Sequence, residues 1–265
     1  MKGFAADYHV HSSFSFDARF SPARMVEGAL EKGIGEICFT EHKDLDPFYN
    51  ETGYYKDGPY SAEIAALQEK YRGRIVIKKG VELDYQSSTE KEFQEFLGRH
   101  SFDFVLASVH ALEHCFVDEG YFQGRSPGKV YEDYLREVLA LSRLQSFDVL
   151  GHLDYFTRFS PEDHPFDPAR HQGILREILK NLAKNGRGLE LNTSGWRHGI
   201  GKPFPSPAIL KMFREEGGEV VTIGSDSHHP RDLASRFTQG IELLQDAGFT
   251  GIYLFTGRKA SKVPF

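Results

Sequence analysis

Histidine and carboxylate residues occur in this sequence at spacings that suit a metal site. The stretch DYHVHSSFSFDA (Asp7–Ala18) places His9 and His11 two residues apart after a short apolar run, and Asp17 eight residues after His9. Successive side chains of a β-strand point to opposite faces, so the two histidines should point the same way. A lone HxH motif is weak evidence for a metal, and further ligands must come from other segments.

Further residues of metal-binding type follow other short apolar runs. The motifs are TEH with His42, GVELD with Glu82, SVH with His110, GHLD with His152, and GSDSH with Asp226 and His228. A carboxylate such as Glu82 in an apolar strand is costly to bury without a cation. Each motif alone has a structural explanation, since Asp and Ser also favour helix caps. Their shared position at strand ends predicts one common site.

Short apolar runs alternate with amphipathic segments along the whole chain. The predicted strands are Ala5–His9, Glu36–Thr40, Ile75–Leu83, Phe104–Val109, Asp148–His152, Gly188–Asn192, Glu219–Ile223 and Gly251–Phe255. The predicted helices are Ser21–Lys32, Ser61–Tyr71, Glu90–Gly98, Lys129–Leu144, Pro168–Lys184, Pro207–Glu216 and Asp232–Ala247. Such alternation predicts parallel strands joined by helical crossovers. We therefore expect a single α/β domain over residues 1–265, with irregular loops at Lys43–Pro59, His114–Gly128 and Thr157–Phe166.

The composition narrows the class of protein. The chain has 265 residues, of which 40% are hydrophobic and 26% charged, as in soluble globular enzymes. The 32 basic and 38 acidic residues give a net charge of −6 without a basic run, which argues against general nucleic-acid binding. Cys38 and Cys115 are too few for a disulfide framework, and no apolar run could span a membrane. We expect a cytoplasmic protein with a small-molecule substrate, and the oligomeric state stays open.

Taken together, the motifs HVHSS, TEH, GVELD, SVH, GHLD and GSDSH resemble the polymerase-and-histidinol-phosphatase (PHP) family of metal-dependent phosphoesterases. The resemblance implies an α/β fold, a distorted TIM-like (β/α)7 barrel with its metal site at the carboxyl ends of the strands. The eighth predicted strand, Gly251–Phe255, would then lie outside the ring. The segment LELNTSGWRHGIGKPFPSPAIL is similar to that of the family's histidinol-phosphate phosphatases. It implies hydrolysis of L-histidinol phosphate to L-histidinol and phosphate, a step of histidine biosynthesis.

The resemblance also implies a cluster of three divalent metals. Its ligands would be His9, His11, Glu82 and Asp226 for the first metal, Glu82 as a bridge with His110 and His152 for the second, and Asp17, His42 and His228 for the third. Asp17 departs from family members that have a histidine there. An oxygen ligand favours manganese or iron over zinc at that position. The metal identity therefore stays open among zinc, iron and manganese.

The expected chemistry assigns roles to further residues. A metal-activated water would attack the phosphorus, with Glu82, Asp226, His228 and Arg158 as the catalytic residues. Arg158 and Arg197 follow strand ends, and their guanidinium forks suit phosphate. Asn192 and Asp154 are further candidates for substrate binding. The cationic end of the substrate calls for an acidic partner, with three candidates: Glu113, Asp118 and Asp154.

Three other functions compete with this interpretation. The nearest is a PHP-type phosphoesterase that acts on nucleotides or other phosphomonoesters, which a basic surface groove would favour. The second is an amidohydrolase-type hydrolase of C–N bonds, a class that commonly bridges its metals with a modified lysine rather than with a glutamate. The third is a non-catalytic metal-binding module, which a complete ligand set without a second domain disfavours.

Overall fold

Seven parallel strands form a nearly closed barrel in the computed structural model, which describes residues 4–49 and 53–265. The strands are β1 (Ala6–Val10), β2 (Glu36–Lys43), β3 (Val76–Asp84), β4 (Phe104–Ser108), β7 (Val149–Leu150), β8 (Gly188–Asn192) and β9 (Val221–Gly224), hydrogen-bonded in that order. A small antiparallel pair, β5 (Ala111–Leu112) and β6 (Cys115–Phe116), follows β4. The predicted barrel and its strand–helix alternation are confirmed.

The ring closes between its first and last strands at their carboxyl ends. The amide of His11 donates to the carbonyl oxygen of Ser227 at 2.9 Å. The amide of Ser227 in turn donates to the carbonyl oxygen of His9 at 3.3 Å. These bonds bring the HVHSS and GSDSH motifs side by side. Closure of the barrel and assembly of the predicted site therefore depend on the same contacts.

The helices cover the outside of the barrel. Their bounds are α1 (Pro22–Glu31), α2 (Asp57–Lys70), α3 (Glu90–Arg99), α4 (Glu119–Phe122), α5 (Pro127–Ser142), α6 (Gln172–Lys184), α7 (Ser194–Arg197), α8 (Pro207–Glu215) and α9 (Phe237–Asp246). Ser21 caps α1 by accepting a hydrogen bond from the amide of Arg24 at 3.3 Å. Within the described ranges, no helix is both long and apolar enough to cross a membrane.

Three predicted helices differ in their bounds, and two predicted loops contain regular structure, since α2 begins within Lys43–Pro59 and both β6 and α4 lie within His114–Gly128. Helix α2 begins at Asp57, earlier than the predicted Ser61, and residues 50–52 of the predicted loop lie outside the described part of the chain. The predicted helix from Pro168 splits into a 3₁₀ turn and α6. Helix α9 begins at Phe237 rather than at Asp232, because Arg236 has a positive φ of 61° that interrupts the helix.

An irregularity in β1 decides which side chains reach the site. Ala6 and Tyr8 pack inside the barrel, whereas Val10 packs in the outer core between barrel and helices. The pairing of β1 with β2 shifts between Asp7 and Val10. Such a bulge changes the face to which the following residues point. The bulge therefore allows residues on both sides of it in the sequence to face the barrel interior, at different levels along the barrel axis.

A C-terminal hairpin covers the amino end of the barrel. Strand β10 (Gly251–Thr256) pairs antiparallel with β11 (Lys259–Pro264), and both lie outside the seven-stranded sheet, as expected for the eighth predicted strand. The ring of Phe255 lies 5.0 Å from that of Phe104 and 6.2 Å from that of Tyr8. These aromatic side chains fill the barrel below the site.

Candidate metal centre and active site

Glu82 lies at the centre of the histidine cluster. Its side chain is 1% exposed, and its two carboxylate oxygens face different histidines. Oε2 lies 3.2 Å from His9 Nε2, 3.4 Å from His11 Nε2 and 3.0 Å from His42 Nδ1. Oε1 lies 2.8 Å from His152 Nε2 and 3.4 Å from His110 Nε2. A carboxylate with nitrogen donors around both oxygens is suited to bridge two cations.

Two aspartates complete the cluster at the rim of the barrel. Asp226 Oδ1 lies 3.6 Å from His9 Nε2 and 3.5 Å from His11 Nε2. Asp17 Oδ2 lies 3.0 Å from His228 Nε2 and 3.5 Å from His42 Nε2. The structure thus brings all the predicted ligands into one continuous cluster: His9, His11, Asp17, His42, Glu82, His110, His152, Asp226 and His228.

Hydrogen bonds behind the cluster orient three of its imidazole rings. His9 Nδ1 donates to Glu190 Oε1 at 2.6 Å, and His11 Nδ1 donates to Ser15 Oγ at 3.0 Å. His110 Nδ1 lies 3.2 Å from Asp84 Oδ1. With Nδ1 as the donor, each ring directs the lone pair of Nε2 toward the centre. This arrangement is typical of histidines that bind metals.

These supporting residues were missed by the sequence analysis, although two of them carry a signal. Asp84 lies two residues after Glu82 in the same strand, so it shares the face of Glu82. Glu190 is a carboxylate within the apolar strand β8, and the burial argument used for Glu82 applies to it equally. Ser15 lies in an irregular loop, and no periodicity indicates where its hydroxyl points.

The electrostatics of the cluster favour cation binding. Burial lowers the pKa of His11 to about 3, assisted by the neighbouring His42 and His228, so its imidazole is neutral at pH 7. Burial would raise the pKa of Glu82, but His9, His42 and His110 hold it well below its usual range. Burial would lower the pKa values of His9, His42 and His110, but neighbouring carboxylates raise them well above the usual range, so a metal that binds these rings would displace their protons and take over the positive charge beside Glu82.

The donor atoms fit transition metals. His11 Nε2 is buried and has no hydrogen-bond partner among the described residues. Several sets of three donors lie within 4.8 Å of one another, and they include His9–His11–Asp226, His9–Glu82–His152, His42–Glu82–His110 and His11–His42–His228. Imidazole and carboxylate ligands suit zinc, iron and manganese. The cluster can therefore hold more than one ion.

A cavity of about 480 Å³ opens above the cluster. Besides seven of the cluster residues, its walls include apolar, acidic and basic side chains, namely Phe16, Asp44, Phe116, Val117, Asp118, Tyr155, Arg158, Phe159, Arg197, His198 and Asp232. The volume suits a small molecule rather than a polymer. Two arginines beside a cluster of metal-binding type suit an anionic group of the ligand.

The two predicted phosphate-binding arginines occupy different settings. Arg158 is exposed, its Nη1 lies 3.4 Å from the Tyr155 hydroxyl, and its guanidinium carbon lies 5.0 Å from the centre of the Phe159 ring. Arg197 donates to the carbonyl oxygens of Ser225 at 3.1 Å and Asp226 at 2.7 Å. Arg197 thus also holds the backbone of a predicted ligand, whereas Arg158 rests on aromatic side chains.

Neither Asn192 nor Asp154 is among the described residues that line the cavity. Asn192 is fully buried, with Nδ2 3.3 Å from Glu190 Oε2 and 3.4 Å from Asp226 Oδ2. Asp154 is also fully buried and accepts hydrogen bonds from Lys202 Nζ at 3.2 Å and the Ser206 amide at 3.1 Å. Asn192 thus contacts a predicted metal ligand from behind, Asp154 connects to the segment around Lys202 and Ser206, and the predicted contact of both with substrate stays a prediction.

The fold is a parallel barrel, and its histidine–carboxylate cluster lies below a cavity lined by arginines. These features together define the class of metal-dependent barrel enzymes that act on anionic substrates. The PHP domain family matches residues 7–194. Together with the relatives described next, this match shows that the chain belongs to the PHP family.

Relatives resemble the chain over nearly its whole length. A histidinol-phosphatase of Lactococcus lactis subsp. lactis is 33% identical over 97% of this chain and 96% of its own. A probable histidinol-phosphatase of Deinococcus radiodurans is 31% identical over 91% of this chain and 93% of its own. A crystal structure of the Lactococcus lactis histidinol phosphate phosphatase with zinc, L-histidinol and phosphate has a TM-score of 0.90, with 32% identity over 97% of this chain and 99% of that one.

Proposed function

We propose that this chain, acting as a single barrel domain, hydrolyses L-histidinol phosphate to L-histidinol and inorganic phosphate. The observation that carries the proposal is the combination of the histidine–carboxylate cluster around Glu82 with a small cavity lined by Arg158 and Arg197. The similarity to histidinol-phosphatases over more than nine-tenths of the chain supports this substrate. The two free cysteines, Cys38 and Cys115, fit a reducing compartment such as the cytoplasm.

The cluster would hold three divalent metals, of which zinc, iron and manganese are the candidates. His9, His11 and Asp226 would bind one, His110 and His152 a second, and Asp17, His42 and His228 a third, with Glu82 bridging the first two. Metals bound there supply Lewis acidity and bring the pKa of water near neutrality. The ligand carboxylates carry three negative charges against six positive charges of the metals. The filled site would therefore attract a phosphate dianion.

The side chains around the cluster would divide the remaining work. Arg158 and Arg197 would bind phosphate oxygens and hold the phosphorus in line for attack. Asp226 lies at the cavity floor, where its carboxylate would accept a proton from the attacking water. The aromatic residues Phe16, Tyr155 and Phe159 in the cavity wall would exclude bulk water. Lysine is absent from the described cavity wall, which disfavours an amidohydrolase site bridged by a modified lysine.

Phosphate release from a substrate panel tests the proposal. Metal-reconstituted protein would be assayed with L-histidinol phosphate, a nucleoside monophosphate and p-nitrophenyl phosphate, and Glu82→Gln would serve as the inactive control. We expect the highest kcat/KM for L-histidinol phosphate. A higher value for the nucleotide would instead support the alternative of a PHP-type phosphoesterase that acts on nucleotides.

Elemental analysis of the same protein tests the metal content. We expect about two to three transition-metal ions per chain after mild purification, as in multinuclear hydrolases. Full activity in protein stripped of transition metals would contradict this part of the proposal.

A further inference from the structure

One carboxylate in the cavity wall is outside the predicted metal ligands and accepts no hydrogen bond from the part of the chain that the structure describes. Asp44 follows the last residue of β2 and is 3% exposed, yet it lines the cavity. No described residue donates a hydrogen bond to its carboxylate, and burial together with the neighbouring Asp84 raises its pKa. The adjacent Lys43 directs its Nζ to the carbonyl oxygen of Asp44, 2.8 Å away, rather than to the side chain.

The surroundings of Asp44 make its lack of a partner costly. Ligand atoms of Asp44, Asp84 and His110 lie within 4.8 Å of one another, so two buried carboxylates are neighbours. Asp84 is satisfied, because it accepts the His110 amide at 2.9 Å and lies 3.2 Å from His110 Nδ1. Asp44 has no such contact with residues 4–49 or 53–265. A cation bound from outside the chain would stabilise the charged form of this buried carboxylate, which no described residue contacts as a hydrogen-bond donor.

The other acidic groups of the cavity wall are already engaged. Asp17, Glu82 and Asp226 face histidines of the cluster. Asp118 caps α4 by accepting the Tyr121 amide at 3.0 Å, and it is exposed. Asp232 forms an ion pair with Arg231 at 3.7 Å. Asp44 is therefore the buried carboxylate that a cationic ligand would meet on entering the described cavity.

We propose that Asp44 binds the ammonium group of the substrate and thereby selects phosphomonoesters that carry an amine next to the ester carbon. The inference rests on the proposed function and adds the group that recognises the amine. In L-histidinol phosphate the carbon that bears the ammonium is bonded directly to the CH₂–O–P carbon. The amine must therefore lie next to the phosphate site, and Asp44 lies next to His110, a member of the cluster. A primary ammonium can donate three hydrogen bonds, which suits a carboxylate without a donor.

Paired substrates test the inference. Wild type, Asp44→Asn and Asp44→Ser would be assayed with L-histidinol phosphate and with its deaminated analogue, 3-(imidazol-4-yl)propyl phosphate. For both variants we expect kcat/KM for L-histidinol phosphate to fall roughly ten- to a hundredfold, as for loss of a charge-assisted hydrogen bond. The value for the analogue should stay near that of wild type, and the metal content should not change.

Neighbouring carboxylates supply matched controls. Asp84→Asn should lower kcat/KM for both substrates alike, because Asp84 acts through His110. Glu113→Gln should preserve the wild-type preference, since Glu113 is exposed and lies outside the cavity wall. If Asp118→Asn lowered kcat/KM for L-histidinol phosphate but not for the analogue, and Asp44→Asn changed neither value, Asp118 would be the residue that binds the amine and the inference would be overturned.

Other outcomes separate failure of this inference from failure of the proposed function. Equal loss on both substrates in Asp44→Asn, or loss of a bound metal, would make Asp44 a support of the cluster and overturn the inference. A wild-type enzyme that hydrolyses L-histidinol phosphate without preferring it over the analogue would also overturn it. A wild-type enzyme that hydrolyses neither imidazole ester, but hydrolyses other phosphomonoesters, would refute the proposed substrate itself.

Discussion

The two ends of the barrel each bury a carboxylate, and they stabilise it in different ways. At the amino end, Asp148 is 4% exposed and bonds with the Arg258 guanidinium, whose Nε lies 3.1 Å from both carboxylate oxygens and whose Nη2 lies 2.9 Å from Oδ1. At the carboxyl end, Glu82 is 1% exposed and is surrounded by histidines. The first carboxylate has a permanent cation from the chain, and the second has partners that can change charge.

This difference separates a structural ion pair from a ligand site. Arg258 keeps its charge at any physiological pH, so Asp148 needs nothing from solution. The histidines around Glu82 can bind a metal only as neutral rings, and the metal must then supply the positive charge. The packing follows the same division, because Tyr8, Phe104 and Phe255 fill the amino end whereas a cavity remains above Glu82.

The largest expected effect follows from Glu82→Gln. The substitution keeps the size of the side chain but removes the charge that is proposed to bridge two metals. We expect kcat to fall by more than about a hundredfold, beyond the loss typical of residues that only support ligands. Elemental analysis should show fewer metals per chain, while circular dichroism should show an unchanged fold. If Glu82→Gln kept the turnover and metal content of the wild type, Glu82 would have a structural role only, as Asp148 has.

Substitutions of the two cavity arginines give the next largest effect. Arg158→Lys keeps the charge but loses the fork, so kcat/KM should fall roughly ten- to a hundredfold for L-histidinol phosphate and for simple phosphomonoesters alike. Metal content should stay the same. Arg197→Lys should cause a similar loss, but it should also loosen metal binding, because Arg197 holds the carbonyl oxygens of Ser225 and Asp226. Wild-type kcat/KM in both variants would remove the arginines from phosphate binding.

Much of this architecture was predictable from the sequence. Apolar runs that alternate with amphipathic segments predicted parallel strands with helical crossovers, and the polar motifs at the strand ends predicted one common site. The resemblance to the PHP family added the barrel and the grouping of ligands around Glu82. These signals are strong because strand periodicity fixes the direction of each side chain. The residues that support the cluster were less visible. Ser15 and Asp44 lie in loops, where no periodicity fixes a side chain, and the β1 bulge changes faces without a sequence signal.

A supporting carboxylate should show a smaller effect than the bridge. The Glu190 carboxylate accepts hydrogen bonds from His9 Nδ1 at 2.6 Å and from the His152 amide at 2.9 Å, and Glu190→Gln removes its negative charge. We expect metal affinity or kcat to fall about ten- to a hundredfold, which is typical for residues behind metal ligands. Raising the metal concentration in the assay should restore part of the activity of Glu190→Gln, but little of that of Glu82→Gln. Equal, irrecoverable losses would place both glutamates in the same role.

The smallest effect on catalysis is expected at the opposite end of the barrel. Arg258→Ala leaves the buried Asp148 with the Val105 amide, which donates to Oδ2 at 2.8 Å, and with the more distant Arg187, whose Nη1 is 3.8 Å away. Removing one partner of a fully buried pair costs about 3–5 kcal/mol, but the Arg258 side chain is 32% exposed, so we expect a loss of roughly 1–3 kcal/mol in the free energy of unfolding. That corresponds to a few degrees in Tm for each kcal/mol. Chemical denaturation would measure the loss, and kcat per folded molecule should stay at the wild-type value.

The double variant Asp148→Asn with Arg258→Ala completes the comparison. Asp148→Asn removes the unpaired charge that Arg258→Ala leaves behind. The double variant should therefore lose less free energy of unfolding than the sum of the losses in the two single variants. Metal content should be the same in all four proteins of this cycle, because the pair lies at the other end of the strands from the cluster. Additive losses would mean that Arg258 acts through its bond to the Ser146 carbonyl oxygen rather than through Asp148. Reduced metal binding would show that the two ends of the barrel are coupled, and that the separation between a structural carboxylate and a functional one does not hold.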